Sequence, residues 1–413
     1  MTPRPVRLGV LGLGAVAQAV HLPLLAKRPD LFTVAAICDL SPRVTSAVGD
    51  RYGTAASRRF AALDDMLDAG GFDALMVLAR GSHTGPVRAA FARGLPVFCE
   101  KPVAYTTAEV DELLAAQPDL GHPAILVGYM KQYDPAVIEA AGLLSDVDDI
   151  RSVEATVLHP TGASQLAFAR VVTAAPPAGE NPMSTVDGAA ATAASAAEDR
   201  ALKRAAVGGD SDEALWRAYR GCLVSSLAHD LSVMRSLSAT PSTVDFADVW
   251  RQHSRHAVRD VGRDRQSFGD HPPSITATGT LDGGGRYTLA WHYLPDFPAY
   301  RETVRVVHGR GTVELTFPSP YLLHAPTELT VTDLDGGAVR HTVHRSTTEA
   351  FETQLEAFHA MLREGVPPRS GLAEGRADIL DCQRIVASYA ARTGTPVGGE
   401  VGRLVEDRAP ERV

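Results

Sequence analysis

The chain has 413 residues, of which 45% are hydrophobic and 22% charged, and its net charge at pH 7 is −9. This length exceeds what one hydrophobic core usually fills, so two domains are expected. The negative charge argues against a nucleic-acid partner, which needs a basic face. No apolar run approaches the roughly 20 residues of a membrane span. Four scattered cysteines without a Cys-x-x-Cys pair, and the absence of an apolar signal segment, predict free thiols in a reducing cytoplasm.

A glycine-rich turn follows the first predicted strand, Val6–Leu11. The turn reads Gly-x-Gly-x-x-Ala and leads into an apolar helical stretch that extends to Lys27. Gly12 allows a tight turn, Gly14 lets the backbone approach a pyrophosphate, and the small Ala17 lets the helix pack on the strand. The helix start also presents backbone N–H groups and the positive end of its dipole to phosphates. The sequence therefore predicts a dinucleotide-binding turn.

The second predicted strand, Phe32–Cys38, is followed by Asp39. A carboxylate at this position can accept hydrogen bonds from the ribose hydroxyls of NAD and repels the additional phosphate of NADP. Arg43 could instead bind that phosphate, so NAD is favoured as the cofactor and NADP stays open. The alternative role of Asp39 is to cap the helix that begins near Ser41 and Pro42.

Strands and helices alternate as far as Gly128, which predicts a parallel, doubly wound sheet of the Rossmann type. One strand of this series, Leu95–Cys99, is followed at once by Glu100, Lys101 and Pro102. Proline ends the strand, so the lysine is placed at the carboxyl edge of the sheet, where open α/β folds bind ligands. Lys101 is expected near the nicotinamide end of a bound dinucleotide. The alternative is an ordinary ion pair at a strand end.

Together these motifs resemble the glucose-fructose oxidoreductase/inositol dehydrogenase/MocA family. The tripeptide Glu-Lys-Pro is the most specific mark of this family, and His83 and the segment 128–135 are also similar to it. The chain departs from the family pattern before His83, where a proline is usual and this chain has Arg80 in the run 78–82. The residues expected to contact the cofactor are Gly12, Gly14, Val16, Ala17, Asp39, Arg43, Leu78, His83, Glu100 and Lys101.

The resemblance divides the chain into a Rossmann domain at residues 1–130, a second domain at 131–398 and a charged tail at 399–413. Stretches with alternating apolar residues between 274 and 344 predict that the second domain is an α+β domain with an open, mostly antiparallel sheet. One face of such a sheet can pack against a partner subunit. A homodimer or homotetramer formed through this sheet is therefore expected.

An insert at residues 161–211 interrupts the second domain. It is rich in Ala, Gly, Ser and Pro, and is expected to be helical between Glu198 and Ala206 and otherwise loop. Loops of this length are uncommon in compact domains unless they are lids or disordered. A disordered segment or surface arm is favoured over a substrate lid.

The stretch Trp216–Leu237 has helical periodicity in its second half, which places Ser225, His229 and Ser232 on one face. It resembles a family segment of the pattern Asp-x-x-x-His, whose histidine faces the nicotinamide. The resemblance implies that His229 is the catalytic histidine. The family aspartate falls on Ser225, which cannot act as a carboxylate but could bind a substrate hydroxyl.

The resemblance implies an NAD(P)-dependent oxidoreductase that acts on a secondary hydroxyl or ketone of a sugar, cyclitol or related polyol. His229 would remove the hydroxyl proton, Lys101 would stabilise the charge on the same oxygen, and Glu100 would hold the lysine. Substrate hydroxyls would be oriented by Lys131, Tyr133 and Ser225. Two alternatives stay open: a glycosidase that uses transient oxidation by bound NAD, and a non-catalytic cofactor-binding regulator.

Overall fold

The computed structural model of the chain describes residues 4–174, 186–250, 272–294, 299–335 and 337–408. The strands are β1 (Val6–Leu11), β2 (Phe32–Cys38), β3 (Arg59–Phe60), β4 (Ala74–Val77), β5 (Val97–Glu100), β6 (Ile125–Gly128), β7 (Ile150–His159), β8 (Phe246–Trp250), β9 (Ser274–Thr280), β10 (Arg286–Tyr293), β11 (Arg301–His308), β12 (Gly311–Phe317), β13 (Glu328–Asp335) and β14 (Ala338–Arg345). The α-helices are α1 (Leu22–Lys27), α2 (Pro42–Tyr52), α3 (Leu63–Ala69), α4 (Thr84–Phe91), α5 (Thr107–Ala116), α6 (Pro135–Leu144), α7 (Gly162–Gln165), α8 (Val186–Ala206), α9 (Glu213–Ala218), α10 (Ala228–Ser236), α11 (Ala350–Glu364), α12 (Leu372–Thr393) and α13 (Gly399–Glu406).

These elements form two compact units, each built from several parts of the chain. The first unit contains Met1–Asp134, Phe168–Lys203 and Thr348–Ile379. The second unit contains Pro135–Ala167, Arg204–Thr347 and Leu380–Val413. Among the described residues, none of the helices combines the length and the apolar character that a membrane crossing requires.

The first unit is built on a six-stranded sheet in the order β3-β2-β1-β4-β5-β6, and all its neighbouring strands are parallel. Every residue of β4, β5 and β6 is buried, because apolar side chains point to both faces and both faces are covered. Helix α11 contributes to this cover, since Phe358 packs against Phe32 and Phe98. The predicted doubly wound parallel sheet is confirmed.

The second unit is built on an eight-stranded sheet in the order β14-β13-β12-β11-β7-β10-β9-β8. Only β7 and β10 run parallel among its paired strands, so the predicted mostly antiparallel sheet is confirmed. Alternate residues of the central strands are buried, including Val157, Trp291 and Val304. Strand β8 was not predicted from the sequence.

Two segments are more helical than the sequence indicates. The insert contains α8, which begins at Val186, so the loop predicted before Glu198 is wrong for residues 186–197, while residues 175–185 lie outside the described part. In the segment predicted to be a charged tail, α13 spans Gly399–Glu406, and its Val401 is fully buried. An apolar residue in a short charged segment was the signal for this helix.

Candidate active site

The carboxyl ends of the parallel strands lie along one edge of the first sheet. All the residues predicted to contact the cofactor follow strands that end at this edge. They are Gly12, Gly14, Val16 and Ala17 after β1, Asp39 and Arg43 after β2, Leu78 and His83 after β4, and Glu100 and Lys101 at the end of β5. Two of the residues predicted to bind the substrate, Lys131 and Tyr133, follow β6. The order of strands and helices along the sequence was sufficient to predict this grouping.

The two glycines of the turn differ in what surrounds them. Gly12 has a φ of +87°, and a Cβ added to it would lie 2.4 Å from the backbone nitrogen of Ala79. Only glycine fits there. A Cβ added to Gly14 would meet no atom of the described residues within 4 Å. The backbone at Gly14 is thus open on one side, which fits the close approach of a pyrophosphate.

Asp39 connects the glycine turn to the start of α2. Its Oδ2 accepts a hydrogen bond from the Leu13 N–H at 2.8 Å, and its Oδ1 accepts one from the Ser41 N–H at 2.9 Å. The cap of α2 is Ser41, whose hydroxyl accepts the Val44 N–H, so Asp39 holds the backbone just before the cap and does not itself cap the helix. A carboxylate oxygen has a second lone pair, so Asp39 can also accept a ribose hydroxyl. That contact stays a prediction, as does the 2′-phosphate contact of Arg43, which is exposed on the first turn of α2.

The helix that follows the glycine turn widens into a π-helix at Ala17–His21, where the Leu22 N–H bonds to the carbonyl of Ala17. Pro23 explains the widening, because it lacks an N–H and its ring displaces the carbonyl four residues earlier. The result is a fully buried His21. Local widening of this kind is frequent at functional sites. No role for His21 was predicted from the sequence, in which Pro23 was the signal for the widened turn.

Glu100 is a buried carboxylate at the end of β5. Its Oε1 lies 2.8 Å from Nε2 of His21, and its Oε2 accepts the N–H of Lys101 at 3.2 Å. A Cβ on Gly128 would lie 3.1 Å from the Glu100 carboxyl carbon, so the glycine leaves room for this group. Burial acts to raise the pKa of Glu100, but the hydrogen bond from His21 and the nearby positive charges hold that pKa below its ordinary value. Glu100 is therefore ionised at neutral pH.

Lys101 is partly exposed at the same sheet edge, and its peptide bond to Pro102 is cis. Burial lowers the pKa of the Lys101 ammonium, Glu100 raises it, and Lys131 lowers it again. The two opposing charges make the proton affinity of Lys101 sensitive to the state of Glu100. This sensitivity suits a group that must donate to a substrate oxygen.

His83 connects the loop after β4 to the end of β5. Its Nδ1 lies 2.7 Å from the carbonyl oxygen of Glu100 and its Nε2 lies 2.7 Å from that of Ala79. The ring is buried, with 2% of its surface exposed. Both ring nitrogens thus contact backbone, which supports the strand end at Lys101. A direct contact between His83 and the cofactor stays a prediction.

Glu109 is hydrogen-bonded to two loops, the one that contains His83 and the one that follows Lys101. This role was not predicted from the sequence. Its carboxylate accepts hydrogen bonds from the hydroxyls of Ser82, Thr84 and Thr106 at 2.7, 3.1 and 3.0 Å. It also accepts the N–H groups of Tyr105 and Thr106, each at 3.0 Å. Thr106 is the N-cap of α5 and forms a capping box with Glu109. The spacing Thr-x-x-Glu could have identified it.

Two residues predicted to orient the substrate, Lys131 and Tyr133, lie in a short 3₁₀ turn after β6 and are both buried. The Tyr133 hydroxyl lies 3.1 Å from the Ser370 hydroxyl and accepts the Ser370 N–H at 3.3 Å. Burial raises the pKa of Tyr133. These contacts give the tyrosine a structural role within the first unit.

The remaining predicted residues, Ser225 and His229, belong to the second unit. A π-helix at Tyr219–Leu227 precedes α10, which contains His229. The α-helical spacing assumed between Ser225 and His229 does not hold, because the hydrogen-bond register changes between them. The Ser225 hydroxyl donates to the carbonyl of Arg220, whereas His229 has only 8% of its surface exposed. The convergence of His229 and Lys101 on one substrate oxygen stays a prediction.

Residues 6–129 match the sequence model of a family described as an oxidoreductase family with an NAD-binding Rossmann fold. This part of the chain is similar to that family. The match covers the glycine turn, Asp39 and the Glu-Lys-Pro tripeptide, and it confirms the resemblance on which the site was predicted.

Curated relatives match about a third of the chain. The inositol 2-dehydrogenase of Leifsonia xyli is 35% identical over 136 residues, which are 32% of this chain and 39% of that protein. The inositol 2-dehydrogenase of Streptomyces avermitilis is 36% identical over 157 residues, which are 37% of this chain and 44% of that protein. The chain thus spans less than half the length of these relatives.

Solved structures share the fold over nearly the whole chain. An aldose-aldose oxidoreductase from Caulobacter crescentus, complexed with glycerol, has a TM-score of 0.64 at 19% identity, with 95% of this chain and 98% of that one covered. An inositol dehydrogenase homologue from Azotobacter vinelandii, complexed with NADH and myo-inositol, has a TM-score of 0.64 at 16% identity, with 96% and 98% covered. At this identity the likeness establishes the fold alone.

Proposed function

We propose that the protein is an NAD(P)-dependent oxidoreductase that transfers a hydride between a nicotinamide and a secondary hydroxyl or ketone of a sugar, cyclitol or related polyol. The observation that supports this most is the edge of the first sheet. There the open backbone at Gly14, Asp39 and the Glu100–Lys101 strand end lie in a row set by the parallel strands. The names of the inositol dehydrogenase relatives support a polyol as the substrate.

The residues of this edge fit a nicotinamide dinucleotide. The turn Gly12–Ala17 would hold the pyrophosphate and Asp39 the adenosine ribose, which favours NAD over NADP. When bound, the dinucleotide supplies the hydride acceptor or donor. The chain itself supplies position and charge.

The catalytic roles fall to one residue of each unit. The Lys101 ammonium would donate to the reacting oxygen and stabilise its negative charge as the hydroxyl loses its proton. His229 would take that proton in the oxidation direction and return it in the reduction direction. Glu100 would keep the lysine protonated, because its carboxylate lies directly before the lysine on β5. Ser225 and Lys131 would bind other substrate hydroxyls.

The proposal is tested by incubating the protein with NAD or NADP and a panel of inositols, aldoses and sugar nucleotides. We expect absorbance of the reduced nicotinamide to rise with at least one polyol, and faster with NAD. Release of the aglycone from a chromogenic glycoside without net cofactor reduction would instead identify a glycosidase. Tight NADH binding without turnover of any substrate would identify a regulator.

We also propose that the protein forms a homodimer or homotetramer through the sheet of the second unit, in the cytoplasm. Three apolar side chains, Leu334, Val339 and Val343, are 70%, 63% and 49% exposed on β13 and β14. The strand register places them on one face, opposite the buried Leu329. All four cysteines are free and buried, which suits a reducing compartment. Light scattering of the wild type and of Val343→Lys tests the assembly, and the variant should be of lower mass.

A further inference from the structure

The contacts around Glu100 form a short series that leads from the π-helix at Ala17–His21 to the backbone of Lys101. Nε2 of His21 lies 2.8 Å from one carboxylate oxygen of Glu100, and the other oxygen accepts the backbone N–H of Lys101 at 3.2 Å. His21 is fully buried, and this carboxylate is its charged partner. The series thus connects a histidine that is outside the reacting centre to the lysine that is proposed to act in it.

The surroundings of His21 determine which ring nitrogen bears the hydrogen. Its ring makes edge contacts with Phe98 and Phe351, at centroid distances of 5.4 and 5.5 Å. Within the described residues, Nδ1 of His21 has no hydrogen-bond partner. A buried N–H without an acceptor is rarer and more costly than a lone pair that faces apolar atoms. The hydrogen therefore lies on Nε2 and is donated to Glu100.

We propose that His21 is a positioning residue that, by donating this hydrogen bond, keeps the Glu100 carboxylate ionised and directed at the Lys101 strand end. The inference rests on the proposed function for its role in turnover, but the coupling of the three side chains can be measured without turnover. A buried carboxylate that loses its donor is strongly disfavoured. Glu100 without His21 would take up a proton or turn away.

The charges that face Lys101 decide the direction of the effect. Glu100 acts to keep Lys101 protonated, and Lys131 acts to deprotonate it. Glu100 itself faces His21, His83 and Lys101. If Glu100 becomes neutral, the repulsion by Lys131 is no longer opposed by it, and Lys101 loses its proton at lower pH. Loss of a neighbouring opposite charge shifts such a midpoint by about one pH unit or more.

The experiment compares wild type with His21→Leu and His21→Gln by trace acylation of lysines at a series of pH values, read by peptide mass spectrometry. The chain has four lysines (Lys27, Lys101, Lys131 and Lys203), so each is resolved, and the exposed Lys27 is the internal control. Leucine removes the donor and keeps apolar bulk. Glutamine returns an amide donor at a similar reach.

We expect the midpoint for Lys101 to fall by about one pH unit in His21→Leu and to return to the wild-type value in His21→Gln, with Lys27 unchanged. The alkaline limb of the pH profile of kcat should shift to lower pH in His21→Leu together with the Lys101 midpoint. An unchanged Lys101 midpoint in folded His21→Leu overturns the inference, as does an equal shift in His21→Gln. If His21→Leu does not fold, His21→Phe, which keeps a ring beside Phe98 and Phe351, takes its place.

The outcomes for this inference and for the proposed function are separable. A shifted Lys101 midpoint in a protein that turns over no polyol supports the coupling and contradicts the proposed function. Turnover of a polyol with unshifted midpoints and an unshifted alkaline limb supports the proposed function and overturns the role of His21.

Discussion

The strand end at Glu100–Lys101 and the helical stretch Tyr219–Ser236 are the two regions that the proposed chemistry requires, and the sequence predicts them with different success. In the first region, β5 pairs with β4 and β6 without a register shift. The position of Glu100 and Lys101 at the end of β5 therefore follows directly from their position in the sequence. In the second, the hydrogen bonds change from π to α between Ser225 and His229. A fixed spacing therefore identifies a face in the first case only.

The difference has a physical basis. Parallel strands end at one edge whatever their side chains, because the ladder of backbone hydrogen bonds aligns them. A helix keeps its face only while each turn has the same number of residues. At Ala17–His21 the widening has a visible cause in Pro23. The longer stretch Tyr219–Leu227 widens without a proline.

The largest expected effect comes from removing the two proposed catalytic groups. Lys101→Met and His229→Asn should each lower kcat by about 10²–10³-fold, because each removes a group that stabilises charge or moves a proton in the transition state. NADH affinity, measured by fluorescence titration, should change little for His229→Asn. Lys27→Met, at an exposed lysine of the first unit, is the control and should keep the wild-type kcat.

These variants show whether both regions take part in catalysis. A large loss for Lys101→Met with no loss for His229→Asn would mean that only the strand end takes part, and that the resemblance of the second region is structural. Equal kcat in all three variants would remove both assignments.

A pair of glycine substitutions separates fold from cofactor binding within the first region. Gly12→Ala places a Cβ 2.4 Å from the Ala79 backbone at a positive φ, so it should lower the free energy of unfolding by about 2–3 kcal/mol or more. Gly14→Ala enters open space and should change that free energy by no more than about 0.5 kcal/mol. Both should weaken NADH binding, measured by fluorescence. Unchanged NADH affinity in Gly14→Ala would contradict the pyrophosphate assignment.

Glu109→Ala tests how the loops beside Lys101 are held. The substitution leaves the buried hydroxyls of Ser82, Thr84 and Thr106 without their shared acceptor, so stability should fall by about 2 kcal/mol. Glu112→Ala, at an exposed position of the same helix, is the control and should be nearly neutral. Thermal or denaturant unfolding measures both. An equal free energy of unfolding in Glu109→Ala and the wild type would mean that the hydrogen bonds of Glu109 stabilise the fold no more than hydrogen bonds to water do.

The smallest expected effect concerns the helical stretch of the second unit. The indole N–H of the buried Trp291 donates to the hydroxyl of Ser226 at 2.9 Å. Ser226→Ala leaves that N–H without this acceptor and should cost about 1 kcal/mol of stability. In Ser236→Ala the lost bond is to the carbonyl of Ser232 in the same helix, and the cost should be lower. A larger cost for Ser236→Ala would show that Trp291 does not stabilise the π-helical stretch.

The sequence predicted the features that depend on chain order and missed those that depend on packing. Both sheets, the glycine turn and the strand end at Lys101 follow from periodicity and motif spacing. The partner of Glu100 could not be predicted, because His21 reaches it only through the widened helix. Strand β8 was missed, since five residues, Phe246–Trp250, carry too little pattern to distinguish them from a loop. The position of α11 on the first sheet depends on Phe358 contacts that no local signal encodes.

We propose that a polyol and a nicotinamide meet at the carboxyl edge of the first sheet, where a hydride passes from a carbinol carbon to the nicotinamide. The most direct measurement uses a polyol with deuterium on its carbinol carbons, incubated with the protein and NAD, followed by mass spectrometry of the reduced cofactor. We expect one deuterium per reduced nicotinamide with the wild type and a strongly reduced yield with Lys101→Met. Reduced cofactor that contains no deuterium, or an equal yield from Lys101→Met, would contradict the account.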